Sequence, residues 1–308
     1  MKIHTCVSPQ KTIIAVIVGL LVIVGIFYSN MWLETSKPVN LDENSETAIE
    51  SASDDGWKEV ARQDQDWEKV TCPVKKMKNA DDFYNYIDHR KLHCDKLVML
   101  GGQLGTHPPY MVGEKWMCMS KEYNIVPGNC IALSFGIERD FSFDDDLDKR
   151  FNCKVFAFDP TINKATHRRS DNIMFYDLGI SDTDAHINST KMARYETILK
   201  MLSLENATID YLKIDVEGAE LNFFHDVFAN TPNLLKNVKQ IGMEIHNSES
   251  VLMPVVREKL WKYFQLLDCF GFKVIFSEIN PVIHLRFVLR GQVRSCCYEV
   301  VWARHHYW

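Results

Sequence analysis

The sequence has little of what marks linker, collagen-like or nucleic-acid-binding proteins. Only 10 prolines and 14 glycines occur among 308 residues, which is too few for a linker protein or a collagen. A basic excess is also missing, because 35 Lys and Arg face 41 Asp and Glu. A formal net charge of −6 argues against a surface that binds phosphates, so no nucleic-acid partner is expected. No internal repeat is present, and the 46% hydrophobic and 25% charged residues describe an ordinary globular chain.

Charge is absent from residues 12–33, and this absence predicts a transmembrane anchor. About 20 apolar residues in a helix cross the hydrocarbon core of a bilayer. Lys2 and Lys11 precede the segment and acidic residues follow it, so the positive-inside rule keeps the N-terminus in the cytoplasm. A cleaved signal peptide is the alternative, although no small-residue cleavage site follows the apolar run closely. We predict a single-pass type II membrane protein of the secretory pathway (Golgi or ER), with a tail at 1–12, an anchor at 13–33, an acidic stem at 34–70 and a lumenal or extracellular domain at 71–308.

Pairs of cysteines at C-x-x-C spacing are missing too, and no His/Cys cluster has the spacing of a zinc site. We therefore assign no metal. With this topology eight of the nine cysteines would be lumenal, an even number that suits disulfides, but their connectivity cannot be read from the sequence. The eight predicted lumenal cysteines are Cys72, Cys94, Cys118, Cys130, Cys153, Cys269, Cys296 and Cys297. The sequons at Asn188 and Asn206 would accept N-glycans in the same compartment.

Short apolar runs alternate with helical patterns from Cys72 onward. We predict strands at 131–135, 155–158, 173–176, 209–214, 238–245, 272–276 and 298–303. We predict helices at 141–151 and 191–204, one ending at 228, and one at 251–270. Alternating strands and helices imply right-handed crossovers, so the predicted fold is a doubly wound α/β domain with a mostly parallel sheet.

Polar residues follow the predicted strands, where ligands of parallel sheets bind. Those residues are Ser134 and Gly136, then Asp159, Asp182, Asp215 with Glu217, and Glu244 with His246. Asp159 comes 23 residues after Gly136, close to the spacing at which nucleotide-binding folds place a carboxylate on ribose hydroxyls. So many carboxylates would repel phosphates and favour a cationic nucleoside, a description that S-adenosylmethionine fits.

The run DYLKIDVEGAEL (210–221) resembles the fourth-strand motif of FkbM-type methyltransferases and of related methyltransferase-like domains in animal membrane proteins. The runs VFAFDP (155–160) and IGMEIH (241–246) are similar to the second- and fifth-strand motifs, and the resemblance covers about residues 115–303. It implies the seven-stranded class I methyltransferase sheet with an antiparallel last strand. It also implies S-adenosylmethionine as the cofactor and methyl transfer as the reaction.

Roles for the strand-end residues follow from that resemblance. The cofactor would be bound by Ser134, Gly136, Asp159, Asp182 and Asp215. If the acceptor, a small molecule or a glycan, is methylated on a hydroxyl, a base must take its proton. The candidates are Asp215 and His246 first, then Glu217 and Glu244. Asp215 and Glu244 offer oxygen ligands of the kind Mg²⁺ prefers, without our assigning one, and Glu220 is interpreted as a charge favourable to a helix N-terminus.

Two other functions stay open. The first-strand run SFGIERD (134–140) has one glycine and no opening acidic residue, which favours a non-catalytic binding or scaffold protein on the same fold. The second alternative is a type II Golgi glycosyltransferase that uses Asp144 and Asp146 as a D-x-D motif. Because that triplet falls within a predicted amphipathic helix, we interpret its aspartates as a solvated face.

Overall fold

The computed structural model describes residues 72–105, 110–187, 190–247, 253–282 and 285–304. The predicted tail, anchor and stem, and the sequon residue Asn188, lie outside these ranges. Within them, no helix is long and apolar enough to cross a membrane.

The helices are α1 (Ala80–Asp88), α2 (Ser142–Phe151), α3 (Tyr195–Leu202), α4 (Glu220–Asn230) and α5 (Met253–Cys269), with 3-10 turns at Lys121–Tyr123 and Pro232–Asn237. The strands are β1 (Leu97–Leu100), β2 (Gln103–Leu104), β3 (Met111–Val112), β4 (Lys115–Cys118), β5 (Ile131–Phe135), β6 (Lys154–Phe158), β7 (His167–Arg168), β8 (Ile173–Tyr176), β9 (Gly179–Ile180), β10 (Ala185–Ile187), β11 (Thr190–Ala193), β12 (Tyr211–Ile214), β13 (Gln240–His246), β14 (Phe272–Ile279), β15 (Arg286–Leu289), β16 (Gln292–Ser295) and β17 (Cys297–Arg304).

The central sheet has the order β14-β17-β13-β12-β5-β6-β8-β7. Strands β5, β6, β8, β12 and β13 pair in parallel, whereas β17 is antiparallel to both β13 and β14. The antiparallel last strand is therefore confirmed. The sheet has eight strands rather than the expected seven, because β7 adds an antiparallel pair to the edge beside β8.

The two faces of this sheet are covered differently. On β12, Leu212 and Ile214 belong to the larger apolar cluster with α1, α3, α4 and α5, while Tyr211 belongs to a smaller cluster with α2 and the β1–β4 hairpin. This alternation follows from the two-residue period of a strand. Lys213 therefore faces the side covered by α2 and the hairpin.

Polar contacts fix the β1–β4 hairpin on its side of the sheet. The Gln240 amide accepts a hydrogen bond from Cys118 N–H at 2.8 Å and donates one to Cys118 O at 2.7 Å. Tyr211 donates its hydroxyl to Trp116 O at 2.9 Å. A Cβ on Gly242 would lie 1.8 Å from the Tyr211 hydroxyl oxygen, so glycine makes room for this contact. The result is that the first residue of β4, Lys115, lies over the middle of the sheet.

Three disulfides join described residues: Cys72–Cys269, Cys94–Cys118 and Cys130–Cys153. The first closes a loop of 197 residues and ties the start of the described chain to the end of α5. The other two close loops of 24 and 23 residues: Cys94–Cys118 joins the two ends of the hairpin, and Cys130–Cys153 joins the residue before β5 to the residue before β6. Longer loops lose more chain entropy when closed, so the first crosslink restricts the unfolded chain most.

One predicted helix is shorter than expected. The apolar spacing over 191–204 predicts one helix, but residues 190–193 form β11 and pair with β9 and β10, and α3 begins only at Tyr195. A three- or four-residue run does not separate helical from strand periodicity, so pairing partners decided the outcome.

Candidate active site

The candidate site lies at the carboxyl ends of β5, β6, β12 and β13, which run in parallel and therefore end at one edge of the sheet. Gly136 is at its centre. Gly136 has φ +79°, and a Cβ there would lie 1.6 Å from the Asp215 carbonyl oxygen. Its N–H donates to Phe158 O at 2.9 Å, and its own oxygen accepts a bond from Lys213 Nζ at 2.6 Å. Only glycine allows the ends of β5 and β12 to approach this closely.

Asp159, at the end of β6, is held by its own loops. The side chain is buried at 4% exposure. Its Oδ2 accepts from Glu138 N–H at 2.6 Å, and its Oδ1 accepts from Thr161 N–H at 2.7 Å and Thr161 Oγ at 2.6 Å. A carboxylate has about four acceptor positions, so these three bonds leave one on Oδ2.

An open depression of about 630 Å³ begins at the two residues that follow Asp159, and Asp159 itself does not line it. Its walls are formed by Pro160, Thr161, Asn163, Lys164, Ala165, Asp177 and Thr190. The volume falls within the range of small-molecule sites. Thr161, one of these wall residues, donates two bonds to Asp159, so the predicted ribose-binding carboxylate lies directly behind the wall.

Two other predicted cofactor residues are placed elsewhere. The Ser134 hydroxyl is fully buried beneath α2, beside Asp144 and without a hydrogen bond of ordinary geometry, so it is not presented at the strand ends. Asp182 follows β9, not the end of β8. There it accepts a bond from the Ser181 hydroxyl at 3.3 Å and lies 3.7 Å from His225 Nδ1 on α4.

Asp215 is paired with a lysine that sequence reasoning missed. Lys115 Nζ, whose side chain is 1% exposed, donates to Asp215 Oδ2 at 3.1 Å and to Glu299 Oε1 at 2.7 Å. Lys213 Nζ is 3.9 Å from the same Asp215 oxygen. Burial alone would raise the pKa of Asp215, but Lys115, Lys213 and His246 hold it well below its usual range. Asp215 is therefore a carboxylate anion held by a buried cation.

Acidic side chains lie opposite each other on β13 and β17. Glu244 and Glu299 are direct cross-strand partners. Burial raises the pKa of Glu299 to about 8, opposed by Lys115 and increased by Glu244. Burial and then Asp215 raise the pKa of Glu244, whose Oε1 accepts a bond from Asn280 Nδ2 at 2.8 Å. Like charges directly opposite destabilise a sheet, so the buried Lys115 is needed here.

His246, at the end of β13, donates Nδ1–H to Glu220 Oε1 at 2.9 Å. The same Glu220 oxygen accepts from Val216 N–H at 3.2 Å, and Glu220 is buried at 2% exposure. Burial would lower the pKa of His246, but Glu220, Glu244 and Asp215 raise it well above its usual value. Glu220 does stand in the first turn of α4, as expected, yet it also orients the imidazole.

Glu217 is exposed in the turn that leads into α4, with φ +55°. Its charge is one of several that add to burial in raising the pKa of Cys297. The structure thus brings Asp215, Glu244 and His246 together and leaves Glu217 at the outer side of the turn. Two groups of three side chains each bring their potential metal-ligand atoms within 4.8 Å of one another. One group is Asp215, Glu244 and Glu299, and the other is Glu244, His246 and Cys297.

The interpretation of the D-x-D triplet as a solvated face is wrong for its first member. Asp144 is fully buried on α2, and burial raises its pKa to about 6 against the lowering effect of Lys213. Asp146 instead pairs with Arg150 and accepts a bond from Gly101 N–H. The helix itself is confirmed, and its two aspartates contact different parts of the protein.

The site residues missed by sequence reasoning are Lys115, Lys213, Glu299 and Asn280. Two of them had a signal, since Lys213 and Glu299 are charged residues inside otherwise apolar strand runs. Charged residues are rarely buried without a partner, so each pointed to an opposite charge nearby. Lys115 had none, because its partners are 100 and 184 residues away.

Comparison with known proteins gives the family. Residues 42–286 match the model of a family described as "Methyltransferase domain", which is more than three quarters of the chain. No curated protein sequence matches. One similar solved structure is a Streptococcus pneumoniae protein provisionally described as a tRNA (m1A22) methyltransferase, at 13% identity, TM-score 0.31, and 60% and 70% coverage of this chain and of that one. The family match shows that the chain belongs to this methyltransferase-domain family, and the eight-stranded, mostly parallel sheet fits it.

Proposed function

We propose that this methyltransferase uses S-adenosylmethionine to methylate a hydroxyl of a glycan or another acceptor in the secretory pathway. The observation that carries the proposal is the meeting of two different half-sites at Gly136. On one side Thr161 joins Asp159 to the wall of an open depression. On the other, Asp215 touches Gly136 through its carbonyl and begins the buried charge cluster.

The residues on the Asp159 side fit the cofactor. The remaining acceptor position of Asp159 suits one ribose hydroxyl, and the adjoining depression has room for the nucleoside. Asp215 supplies negative charge near the point where β5 and β12 meet, which suits a cationic sulfonium and would disfavour a dinucleotide. When bound, the cofactor supplies an electrophilic methyl group, and transfer by in-line displacement depends mainly on how the two reactants are positioned.

On the acceptor side, Asp215 would accept the hydrogen bond of the acceptor hydroxyl and take its proton as the methyl group is transferred. The Lys115 ammonium holds Oδ2 of that carboxylate at 3.1 Å, which fixes its orientation and leaves Oδ1 for the acceptor. Asp215 is the predicted catalytic residue whose backbone lies against Gly136, so it borders both half-sites. Lys115 is a positioning residue, and Glu244 and His246 form the neighbouring wall.

The compartment remains a prediction that several observations support. Three disulfides join described residues. Disulfides persist in oxidising compartments and are rare in cytosolic proteins. The sequon residue Asn206 is exposed in the loop between α3 and β12, where a glycan has room. The uncharged run 13–33 would then anchor the domain on the lumenal side.

The glycosyltransferase alternative loses support, because Asp144 is buried under the sheet and Asp146 pairs with Arg150. The scaffold alternative keeps one specific observation: three of the four acceptor positions of Asp159 and one oxygen of Asp215 are already bonded within the chain. Cofactor binding distinguishes the two readings of the fold.

The experiment is calorimetric titration of S-adenosylmethionine into the purified full-length chain, beside Asp159→Asn and the exposed control Asp171→Asn. We expect saturable binding that Asp159→Asn weakens about 10- to 100-fold, as for loss of a hydrogen bond to a charged group. Asp171→Asn should leave binding unchanged. Wild-type chain that is folded yet does not bind would favour the scaffold.

The acceptor is tested with cofactor that carries a labelled methyl group. Incubation with glycans and glycoproteins of the secretory pathway should give label that survives mild alkali, because a methyl ether resists alkali and a methyl ester does not. Label lost in alkali would contradict a hydroxyl acceptor and indicate a carboxylate. Asp215→Asn should abolish transfer.

A further inference from the structure

The three side chains Glu244, His246 and Cys297 converge on one face of the sheet. His246 and Cys297 are direct cross-strand partners on β13 and β17, and Glu244 is two residues before His246 on the same face. Their nearest ligand atoms lie within 4.8 Å of one another. Tetrahedral zinc ligands at about 2.0–2.3 Å from the metal lie about 3.3–3.8 Å apart, so the group needs to close by only about 1 Å.

The imidazole is oriented as it is in metal sites. Its Nδ1–H donates to the buried Glu220 carboxylate at 2.9 Å, which directs Nε2 towards Glu244, 3.9 Å from its Oε2. Histidines that bind metals almost always donate their other ring N–H to a carboxylate, a carbonyl or a water. Glu220 is outside the three-residue group, so it is a separate observation in favour of a ligand at Nε2.

The carboxylate of Glu244 is oriented in the same way. Asn280 Nδ2 donates to Oε1 at 2.8 Å, which leaves Oε2 facing His246. Asn280 is fixed in turn, because its backbone N–H donates to Cys297 O at 3.1 Å. Two of the three ligand side chains therefore have outer partners that set their orientation.

The neighbouring acidic group does not offer an equal site. Asp215 and Glu299 already share the Lys115 ammonium, at 3.1 Å and 2.7 Å. The Lys115 ammonium therefore already serves as the cation for the Asp215 and Glu299 carboxylates. Glu244 is the only member that the two groups have in common, and its Oε2 faces the imidazole.

We propose that Glu244 Oε2, His246 Nε2 and Cys297 Sγ bind one Zn²⁺ ion. An oxygen, a nitrogen and a sulfur ligand suit zinc, whereas Mg²⁺ prefers oxygen alone. The Cys297 thiol and the imidazolium Nε2 of His246 each give a proton to solvent as the metal binds, so the histidine ligand is neutral and the thiolate and the Glu244 carboxylate balance the two charges of the ion. Three protein ligands leave a fourth coordination position, as in zinc sites that take part in chemistry.

The test measures metal in the purified full-length chain, without cofactor or acceptor. The chain is stripped with a chelator, dialysed against Zn²⁺ and analysed by elemental mass spectrometry. We expect about one zinc per chain in the wild type, and less than a tenth of that in His246→Gln and Cys297→Ser. His225→Gln, which removes an exposed histidine of α4, is the matched control and should keep its zinc. Co²⁺ in place of Zn²⁺ should give a thiolate-to-metal charge-transfer band that Cys297→Ser lacks.

The proposal is overturned if wild-type chain binds no stoichiometric zinc, or if both variants keep it. Binding of Mg²⁺ but not Zn²⁺ would likewise contradict the sulfur ligand. Circular dichroism of each stripped variant checks that it is folded, and the cobalt spectrum of the wild type reports the Cys297 bond without any variant. Because no methyl transfer is measured, failure to bind S-adenosylmethionine leaves this result standing.

Discussion

Asp159 and Asp215 are aspartates at the ends of β6 and β12, the two parallel strands on either side of β5, but they are held in opposite ways. Asp159 is held by groups 2 and 21 residues away: two backbone N–H groups and a hydroxyl of the loops around it. Asp215 is held by Lys115, 100 residues away on the β1–β4 hairpin. The first is a product of local chain geometry, and the second exists only in the folded domain.

The difference separates the sheet edge into two half-sites. In the Asp159 half-site the backbone satisfies the carboxylate, and no side-chain cation is needed beside the open depression. In the Asp215 half-site, Glu299 is buried, Asp215 and Glu244 are mostly buried, and Lys115 carries the compensating charge. Stability should therefore depend strongly on one side chain in the second half-site and weakly on any side chain in the first.

Lys115→Met gives the largest expected effect. It removes the ammonium and leaves Asp215 and Glu299 buried without their partner, a loss that costs about 3–5 kcal/mol in other buried ion pairs. Urea unfolding of the disulfide-intact chain measures it. The control is Lys154→Met, a change at an exposed lysine of β6, which should stay within about 0.5 kcal/mol of the wild type.

A second variant sharpens the interpretation. In Lys115→Met/Asp215→Asn the ionised carboxylate left without its lysine is gone, so part of the lost stability should return. A cost of less than about 1 kcal/mol for Lys115→Met would show that the cluster does not depend on this cation. The distinction between the half-sites would then fail.

Asp144 lies between the half-sites, under β5 and near Lys213, and gives the second largest effect. Its pKa is raised from 3.8 to about 6 by burial. Between these two pH values Asp144 is therefore protonated in the folded chain and ionised in the unfolded chain. Stability that depends on this group is therefore present below about pH 4 and lost as the pH rises through about 6. The difference amounts to about 3 kcal/mol.

Asp144→Asn removes that dependence. The free energy of unfolding of the variant, minus that of the wild type, should rise by up to about 3 kcal/mol between pH 4 and pH 7. Taking the difference cancels the other titrating groups. Asp146→Asn, on the exposed side of the same helix, is the control. A flat difference for Asp144→Asn would mean that Lys213 fully compensates the buried charge.

The same division explains what the sequence could predict of the fold. Strands β5, β6 and β8 are continuous apolar runs, as buried parallel strands are, and their positions were predicted to within a residue. The β1–β4 hairpin was not predicted, since its four-residue strands have no clear periodicity. The edge strand β7 has only two residues and no apolar pattern at all.

The site divides similarly. The position of Asp159, Asp215, Glu244 and His246 at one edge of the sheet could be predicted because each stands at the end of an apolar run, where parallel strands converge. Lys115 could not, because nothing in its neighbourhood shows that β4 crosses the sheet. Glu220 was assigned only the general role of an acidic residue at a helix start, since its bond to His246 joins two elements 26 residues apart.

The smallest expected effect belongs to Thr161→Val, in the Asp159 half-site. The variant loses the 2.6 Å bond from Thr161 Oγ to Asp159 Oδ1 but keeps the backbone N–H bond to the same oxygen. A single hydrogen bond of this kind contributes about 1 kcal/mol, so urea unfolding should show a loss of that size, well below that of Lys115→Met. Thr166→Val, which removes another loop hydroxyl that accepts a bond from Asp177 N–H, is the matched control for cofactor binding. Because Thr161→Val frees one acceptor position on Asp159, S-adenosylmethionine should bind the variant at least as tightly as the wild type. A loss of stability as large as that of Lys115→Met would mean that this half-site also depends on a single side chain, and that the backbone does not hold Asp159 by itself.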